Sequence, residues 1–374
     1  MLGCWGGIEK DDMKKSPFEG KVITVCGPVD PALLGRVLMH EHLHSDMCEE
    51  DPSNYGLPPA PKPTPENPYP LPFRTDEKPM SPKRLQYLLD DAVPLLKQAR
   101  TEHGLNAYCD VTMPPWRAWP DVYVKISQAS GVQIVMATGF YREIELGKYW
   151  AKTPDLQIWP FVRKSSVEEL ADFCVREILE GVHGTSVHAG CIKLGTSQPT
   201  MTPTERKTFQ AAACAWKRTG VHITTHCTLL GAETSQLTIL DAEGVDLRRV
   251  VIGHVAGHLM NPAYRNTILS WMNRGANFMP TNLAVTKPEN WRPLIEAIHQ
   301  VFDAGHGDKL LFGMDHGYCT ETGVFERVQF MPQPPWMYMF KDVLPVFRSL
   351  GLTAAEEKTI MVDNPRRILP VQSP

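Results

Sequence analysis

Short apolar segments alternate with longer amphipathic segments along most of the chain. The apolar segments are rich in β-branched residues, which favours strands, and the segments between them have the periodicity of helices. The predicted strands are residues 36–39, 107–111, 133–138, 190–193, 222–225, 249–253, 277–279 and 309–313. Strands that alternate with helices in this way predict a parallel sheet with crossover helices.

Helix start signals support this alternation. Ser166, Thr202 and Thr353 are each followed three residues later by a glutamate, which is the pattern of a capping box. Pro203 adds a proline at a first helical position.

Repeated strand-and-helix units predict an α/β fold of the (β/α)₈ TIM barrel type. An open doubly wound sheet lacks support, because the first strand is not followed by G-x-G-x-x-G and no Walker lysine motif occurs. We expect a single barrel domain at 20–374 after a flexible segment at 1–19. Prolines crowd residues 49–82, which predicts a Pro-rich loop inserted after the first strand, with a linker between domains as the alternative.

Composition and charge limit the classes of binding partner that we expect. With 374 residues, 43% of them hydrophobic, the chain can bury a large core, and a formal net charge of −4 argues against a nucleic-acid or anionic-membrane surface. The 9 cysteines are scattered without C-x-x-C pairs, which is typical of free thiols in a reducing compartment. No leader-like or membrane-spanning apolar stretch is present. We expect a cytoplasmic protein that acts on a small molecule, with neither nucleic acid nor a membrane as partner.

Residues that bind divalent cations stand at the ends of several predicted strands. His40 and His42 are two residues apart and therefore point to the same face of the first strand. Because the carboxyl ends of all barrel strands meet at one face, we expect the whole set to converge there. Nitrogen and oxygen donors of this kind suit Zn²⁺, with Mn²⁺, Fe²⁺ or Co²⁺ as alternatives. The candidate ligands are His40, His42, Lys193, His226, His254 and Asp315.

Lys193 is the unusual member, because an ammonium group is repelled by a metal ion. Carbamylation by CO₂ would turn its amine into an anionic carboxylate that bridges two metals; a lysine paired with Asp315 beside one metal is the alternative. We also expect Glu41 to face the helices in a salt bridge, His44 to lie beyond the strand end, and Cys227 to face away from the ligands.

The chain resembles the phosphotriesterase family of the amidohydrolase superfamily from about residue 20 to residue 369. The similarity is carried by the opening block at 27–42, by Asp110-Val111-Thr112, Ala137-Thr138-Gly139, residues 166–170, Ile252-Gly253-His254 and Asn364-Pro365. The opening block is similar to phosphotriesterase-related proteins of animals, whereas Lys193 follows the bacterial pattern that includes the phosphotriesterase-like lactonases.

The resemblance implies a binuclear centre in which a hydroxide shared by the two metals is the nucleophile. His40, His42 and Asp315 would bind the more buried metal, His226 and His254 would bind the exposed one, and Lys193 would bridge both as its carbamate. Asp315 and Lys193 would be the catalytic residues, Asp315 taking the proton of the hydroxide. The resemblance also implies a homodimer.

One departure from the family bears on the substrate. Some phosphotriesterases pass a proton from the metal-binding aspartate to a His-Asp pair, but here Gly257 stands near the expected carboxylate, with His258 or His316 as substitutes. We therefore expect a carboxylic ester or lactone as substrate, with an N-acyl amide or phosphotriester as alternatives. A catalytically inactive metal-binding barrel is the alternative of another class.

Aromatic and polar residues near the strand ends are candidates for the substrate pocket. They suggest an apolar or aromatic substrate with one anionic or polar group near Arg142. These candidates are Trp116, Phe140, Tyr141, Arg142, Asn282 and Tyr318.

Overall fold

The computed structural model describes residues 16–45, 80, 82–114, 116–143, 160–281, 283, 289, 291–319, 326–327 and 334–374. Most of the expected N-terminal segment at 1–19 and of the Pro-rich insertion at 49–82 lies outside these residues. The domain boundaries therefore stay predictions.

A parallel sheet in chain order forms the barrel wall. An antiparallel hairpin of β1 (Val22–Thr24) and β2 (Gly27–Val29) precedes it. The parallel strands pair each with the next, and the predicted strands lie at these positions. They are β3 (Arg36–Ser45), β4 (Leu105–Asp110), β5 (Gln133–Gly139), β6 (Cys191–Gly195), β7 (His222–His226), β8 (Val250–Gly253) and β9 (Asn277–Met279).

Residues 310–314 close the barrel as an irregular eighth strand. The amide of Leu311 donates to the carbonyl of Phe278 in β9 at 3.1 Å, and the amide of Met39 in β3 donates to the carbonyl of Phe312 at 2.8 Å. The chain then continues into β10 (Gly317–Cys319), parallel to β3, and β11 (Glu326–Arg327), antiparallel to β10. The fold is the (β/α)₈ TIM barrel that the sequence predicts.

Helices surround this wall, and none of those described is long and apolar enough to cross a bilayer. The capping boxes that the sequence predicts are formed at Ser166, Thr202 and Thr353. The helices are α1 (Pro82–His103), α2 (Pro120–Ser130), α3 (Pro160–Lys164), α4 (Val167–Leu179), α5 (Pro203–Thr219), α6 (Ala232–Ala242), α7 (Ala256–Met260), α8 (Pro262–Asn273), α9 (Trp291–Asp303), α10 (Leu344–Ser349), α11 (Ala354–Lys358) and α12 (Asn364–Ile368).

The core has two layers. A large cluster fills the space between strands and helices, and a smaller one fills the inside of the barrel with small and medium side chains, among them Val37, Ala107, Cys109 and Ala137. Because the lumen is packed with apolar side chains, polar chemistry is confined to the mouth where the strands end.

Candidate metal centre

The candidate ligands lie at the carboxyl ends of the barrel strands and after them. They are His40 and His42 in β3, Lys193 in β6, His226 at the end of β7, His254 directly after β8, and Asp315 after the irregular eighth strand.

A bulge in β3 aims its histidines at the barrel axis. Leu38 pairs with Tyr108 and Glu41 pairs with Asp110, so three steps along β3 (38 to 41) oppose two along β4 (108 to 110). One extra residue on one strand is the definition of a β-bulge. Met39 can therefore stay in the lumen core while His40, its neighbour, also reaches the ligand cluster.

Asp315 lies at the centre of the cluster. Its Oδ1 is 3.0 Å from Nε2 of His42 and 3.3 Å from Nε2 of His40, and its Oδ2 is 3.7 Å from Nδ1 of His254. The side chain of Asp315 is 39% exposed, whereas that of His40 is 1% exposed. The carboxylate thus connects a buried histidine to the open mouth of the barrel.

The remaining ligand candidates adjoin this group. The ring centroids of His40 and His254 are 4.6 Å apart, and those of His254 and His226 are 4.4 Å apart. The buried Nζ of Lys193 lies 3.3 Å from Nε2 of His40. All six candidate ligands therefore form one continuous cluster.

Two of the ligand candidates have a backbone conformation that residues with side chains rarely adopt. His254 has φ of 63° and Asp315 has φ of 57°. Left-handed conformations of residues other than glycine cost about 1–3 kcal/mol and concentrate at functional sites. The chain turns sharply at these strand ends and directs both side chains to the barrel axis.

Glycine is required beside His40. A Cβ on Gly313 would lie 2.7 Å from the backbone nitrogen and from the Cβ of His40. Gly313 thus lets the irregular eighth strand approach β3 closely enough for Asp315 to reach the histidines.

Two threonines hold the histidines, and the sequence analysis missed both. The Oγ1 of Thr112 is 2.6 Å from Nδ1 of His42, and the Oγ1 of Thr281 is 2.6 Å from Nδ1 of His254. A hydrogen bond to one ring nitrogen fixes the orientation of an imidazole and directs the other nitrogen to a metal. Both threonines follow a predicted strand within two residues, which is the signal that could have found them.

Glu41 faces away from the cluster, as the sequence predicts, and it forms no salt bridge with another described residue. Its carboxylate accepts hydrogen bonds from the amide of Met314 at 2.7 Å and from the amide of His316 at 3.3 Å. These amides flank Asp315 in the chain, so Glu41 anchors the segment that carries the central carboxylate.

The electrostatics favour donors in their metal-binding forms. Burial lowers the pKa of His40 and of His226 well below that of a free imidazole, so both rings are neutral at pH 7. Partial burial alone would raise the pKa of Asp315, but His254, His40 and His42 hold it well below its usual value. Burial lowers the pKa of Lys193 to about 7, which leaves a large neutral fraction of its amine.

His40, His42 and Asp315 fit a divalent metal directly. They offer two imidazole nitrogens and one carboxylate oxygen within 4.8 Å of one another, which is a donor set suited to zinc. His226 is engaged differently, because its Nδ1 is 3.3 Å from the hydroxyl of Tyr141 and its Nε2 is 3.4 Å from Nη1 of Arg142. Metal binding at Nε2 of His226 requires Arg142 to shift.

The sequence profile of the phosphotriesterase family matches residues 20–369. The chain belongs to this family. The match covers every strand of the barrel and every candidate ligand.

Individual relatives agree with this assignment. The chain is 28% identical to the phosphotriesterase homology protein of Mycobacterium tuberculosis over 92% of this chain and 96% of that protein. It is 27% identical to the N-acetyltaurine hydrolase of Tetraodon nigroviridis over 95% of this chain and 99% of that one. The solved structure of the phosphotriesterase from Mycobacterium tuberculosis is 27% identical, has a TM-score of 0.70, and matches 94% of this chain and 98% of that chain.

Three of the substrate-pocket candidates lie beside the ligand cluster. Tyr141 and Arg142 contact His226, and the guanidinium carbon of Arg142 lies 5.1 Å from the centroid of the Tyr141 ring. Trp116 packs edge-on against Tyr141 with ring centroids 5.3 Å apart. The backbone carbonyl of Trp116 is 3.2 Å from Nδ1 of His44; His44 lies inside β3, so the prediction that it lies beyond the strand end is wrong.

Phe140 and Tyr318 make side-chain contacts with helices. Phe140 is buried against Phe173 of α4, and the hydroxyl of the buried Tyr318 donates to Asp91 of α1 at 2.6 Å. These contacts direct both rings toward helices, and their assignment to the substrate pocket stays a prediction. Asn282 lies outside the described residues.

The structure also shows where His258 and His316, the possible substitutes for the His-Asp pair, lie. His258 lies in α7, where its Nε2 is 3.4 Å from Oε2 of Glu233. A proton relay from Asp315 through His258 is therefore not formed. The amide of His316 donates to Glu41.

Proposed function

We propose that this protein is a metal-dependent hydrolase that acts on a carboxylic ester or lactone. The observation that carries the proposal is the convergence of four imidazoles, Asp315 and the buried Lys193 at the mouth of the barrel. Fold alone would not require these donor residues.

In this proposal two divalent metals, zinc first among them, bind the cluster. His40, His42 and Asp315 would hold one metal, and His226 and His254 would hold the other. The neutral amine of Lys193 would attack CO₂, forming an N–C bond and releasing one proton, and the resulting carbamate would add an anionic ligand to the cluster. When bound, the metals lower the pKa of a water molecule from 15.7 to about 7 and polarise the acyl oxygen of the substrate.

Asp315 has the position of a proton carrier. Its side chain is exposed to the mouth and contacts histidines from β3 and from the end of β8. It can accept a proton from the attacking water and deliver it to the leaving group.

The lack of a relay behind Asp315 supports an ester or lactone over a phosphotriester. Asp315 is the carboxylate that contacts the histidines, and the described residues place no His-Asp pair behind it. Asp315 therefore has to pass its proton to the leaving group directly. Some phosphotriesterases use such a His-Asp pair, so its absence among the described residues favours the ester or lactone over the phosphotriester. An alcohol also departs with less assistance than an amine, which favours the ester or lactone over the amide.

Arg142 favours a second candidate, an N-acyl amide with an anionic group. Its guanidinium is buried beside His226, with Nη1 3.4 Å from Nε2 of that ring, and a guanidinium can bind an anionic group through paired hydrogen bonds. The similarity to an N-acetyltaurine hydrolase along 95% of this chain supports this candidate. Arg142→Met should then raise KM for an anionic N-acyl amide more than for its neutral analogue.

A substrate panel on one preparation tests the proposal. Zinc-loaded protein in bicarbonate is assayed with a lactone, an aryl ester, an N-acyl amide and a phosphotriester, and bound metal is quantified by elemental analysis. We expect the ester or lactone to give the highest kcat/KM, and Asp315→Asn to reduce it by about 10²–10⁴-fold. Asp308→Asn, at an exposed carboxylate outside the cluster, is the matched control.

The outcomes separate the candidates. Preference for the N-acyl amide would select the second candidate, and preference for the phosphotriester would overturn the relay argument. Two bound metals without turnover of any substrate would indicate a metal-holding barrel that is not a hydrolase.

A further inference from the structure

A second set of side chains that can bind metal ions lies on the outer side of the barrel wall, apart from the cluster described above. Cys227 follows β7, Glu233 is in the first turn of α6, and His258 is in α7. All three are buried, with exposures of 0%, 0% and 2%. Cys227 faces away from the main cluster, as the sequence predicts.

The three donor atoms have the spacing of a metal site. The Sγ of Cys227 is 4.0 Å from Oε2 of Glu233, the Nε2 of His258 is 3.4 Å from the same oxygen, and all three atoms lie within 4.8 Å of one another. Zinc bonds of about 2.3 Å to sulfur and about 2.0–2.1 Å to nitrogen or oxygen give donor separations of roughly 3.3–3.6 Å in a tetrahedron. Small side-chain movements would therefore bring the three donors to the separations of a tetrahedral site.

Hydrogen bonds from neighbouring groups orient the Glu233 carboxylate. Thr234 donates to Oε1 of Glu233 at 2.9 Å and Tyr264 donates to the same oxygen, while Oε2 accepts from the amide of Gly231 at 3.1 Å and faces Cys227 and His258. Carboxylates that bind metals are commonly held in this way. The buried Nε2 of His258 makes no hydrogen bond to any described residue.

The charge of the pocket also fits a cation. The fully buried carboxylate of Glu233 lies 3.4 Å from Nε2 of His258, which balances its charge only when the imidazole is protonated. A divalent ion bound by the Cys227 thiolate, the Glu233 carboxylate and a neutral imidazole would make the pocket neutral, and burying an uncompensated charge is costly.

We propose that Cys227, Glu233 and His258 bind a further divalent metal ion, of the zinc class. Binding releases the thiol proton of Cys227 to solvent and forms bonds from Sγ, Oε2 and Nε2 to the metal. The ion would tie together the segments after β7 and β8, which carry His226 and His254.

Sulfur gives this site a signature that the main cluster cannot produce, because the donors there are nitrogen and oxygen. In protein reconstituted with Co²⁺, we expect a thiolate-to-cobalt charge-transfer absorption in the near ultraviolet. Zinc X-ray absorption should show a sulfur neighbour at about 2.3 Å. Cys227→Ser should abolish both signals and lower bound metal by one equivalent.

Matched variants make the result decisive. Cys174→Ser replaces another buried cysteine, in α4, and should keep the signals. His258→Gln keeps the thiol but removes a donor, and should also lose one equivalent; it serves if Cys227→Ser does not fold. His226→Ala should lose metal from the main cluster while keeping the sulfur signature, which separates this inference from the proposed function. Absence of the signature in folded wild-type protein, or its persistence in Cys227→Ser, would overturn the proposal.

Discussion

Thr281→Val is the substitution that tests most directly how the candidate metal centre is held. The Oγ1 of Thr281 is 2.6 Å from Nδ1 of His254 and accepts a hydrogen bond from the amide of His254 at 3.1 Å. Valine keeps the shape of threonine but has no hydroxyl. The variant therefore loses both contacts to a residue whose backbone is in the left-handed region.

The size of the effect follows from these two contacts. An unsatisfied buried amide costs about 1–3 kcal/mol, so the free energy of unfolding of the metal-free protein should fall by that amount. Loss of a hydrogen bond behind a metal-binding histidine typically lowers metal affinity by about 10–100-fold. At about 1.4 kcal/mol for each factor of ten, this corresponds to about 1.4–2.8 kcal/mol of binding free energy.

The control is the same substitution at Thr225. Thr225 is buried in β7 beside His226, and its hydroxyl has no hydrogen-bond partner among the described residues. Thr225→Val should change the free energy of unfolding by less than about 1 kcal/mol and leave metal affinity unchanged. Stability is measured by denaturant unfolding of metal-free protein, and affinity by competition with a chelator. Wild-type affinity in Thr281→Val, or equal losses in both variants, would refute the reasoning.

Further predictions concern other parts of the barrel. Lys193→Ala should lose bound metal and activity, with partial rescue by a short carboxylic acid, and wild-type metal content would contradict the carbamate. Gly313→Ala places a Cβ 2.7 Å from the backbone of His40 and should destabilise the protein by about 1–3 kcal/mol. Gly257 lies in α7 with open space around it, so Gly257→Ala should stabilise the protein by up to about 1 kcal/mol. Denaturant unfolding measures both changes. Burial lowers the pKa of His222 from 6.5 to about 3, so the unfolded state binds more protons between these values and stability falls as pH falls below 6.5. From pH 6.5 to 5 this costs about 2 kcal/mol, and unfolding of His222→Leu should show a correspondingly smaller loss over that range; equal pH slopes would contradict the assignment.

The barrel and the convergence of the candidate ligands could be predicted because both depend on periodicity and chain order. Each strand shows as an apolar run, and a parallel barrel brings all carboxyl ends of its strands to one face whatever the loops do. For this reason alone, Lys193 and His226 lie near His40 in the fold. In the sequence, Lys193 is 153 residues away from His40, and His226 is farther still.

The directions of side chains near the strand ends could not be predicted equally well, because they depend on local backbone conformation and on register. Phe140 follows Gly139, whose φ of 119° reverses the simple alternation of side-chain directions, and its ring packs against α4. Gly317 in β10 pairs with His42 in β3. Tyr318 is the next residue, and its hydroxyl reaches α1. The bulge in β3 has no sequence signal of its own, since it depends on the register with β4.

The supports around Asp315 show why the ligands are easier to identify than the groups that hold them. Asp315 has φ of 57°, and its amide donates to the carbonyl of His40 at 2.9 Å. Glu41, the next residue in β3, accepts from the amides on either side of Asp315. The same bulged strand therefore supplies two ligand candidates and also holds the strained backbone of a third. Such strain persists only where several contacts enforce it together. Loss of these hydrogen bonds should therefore weaken metal binding while every ligand remains in the sequence.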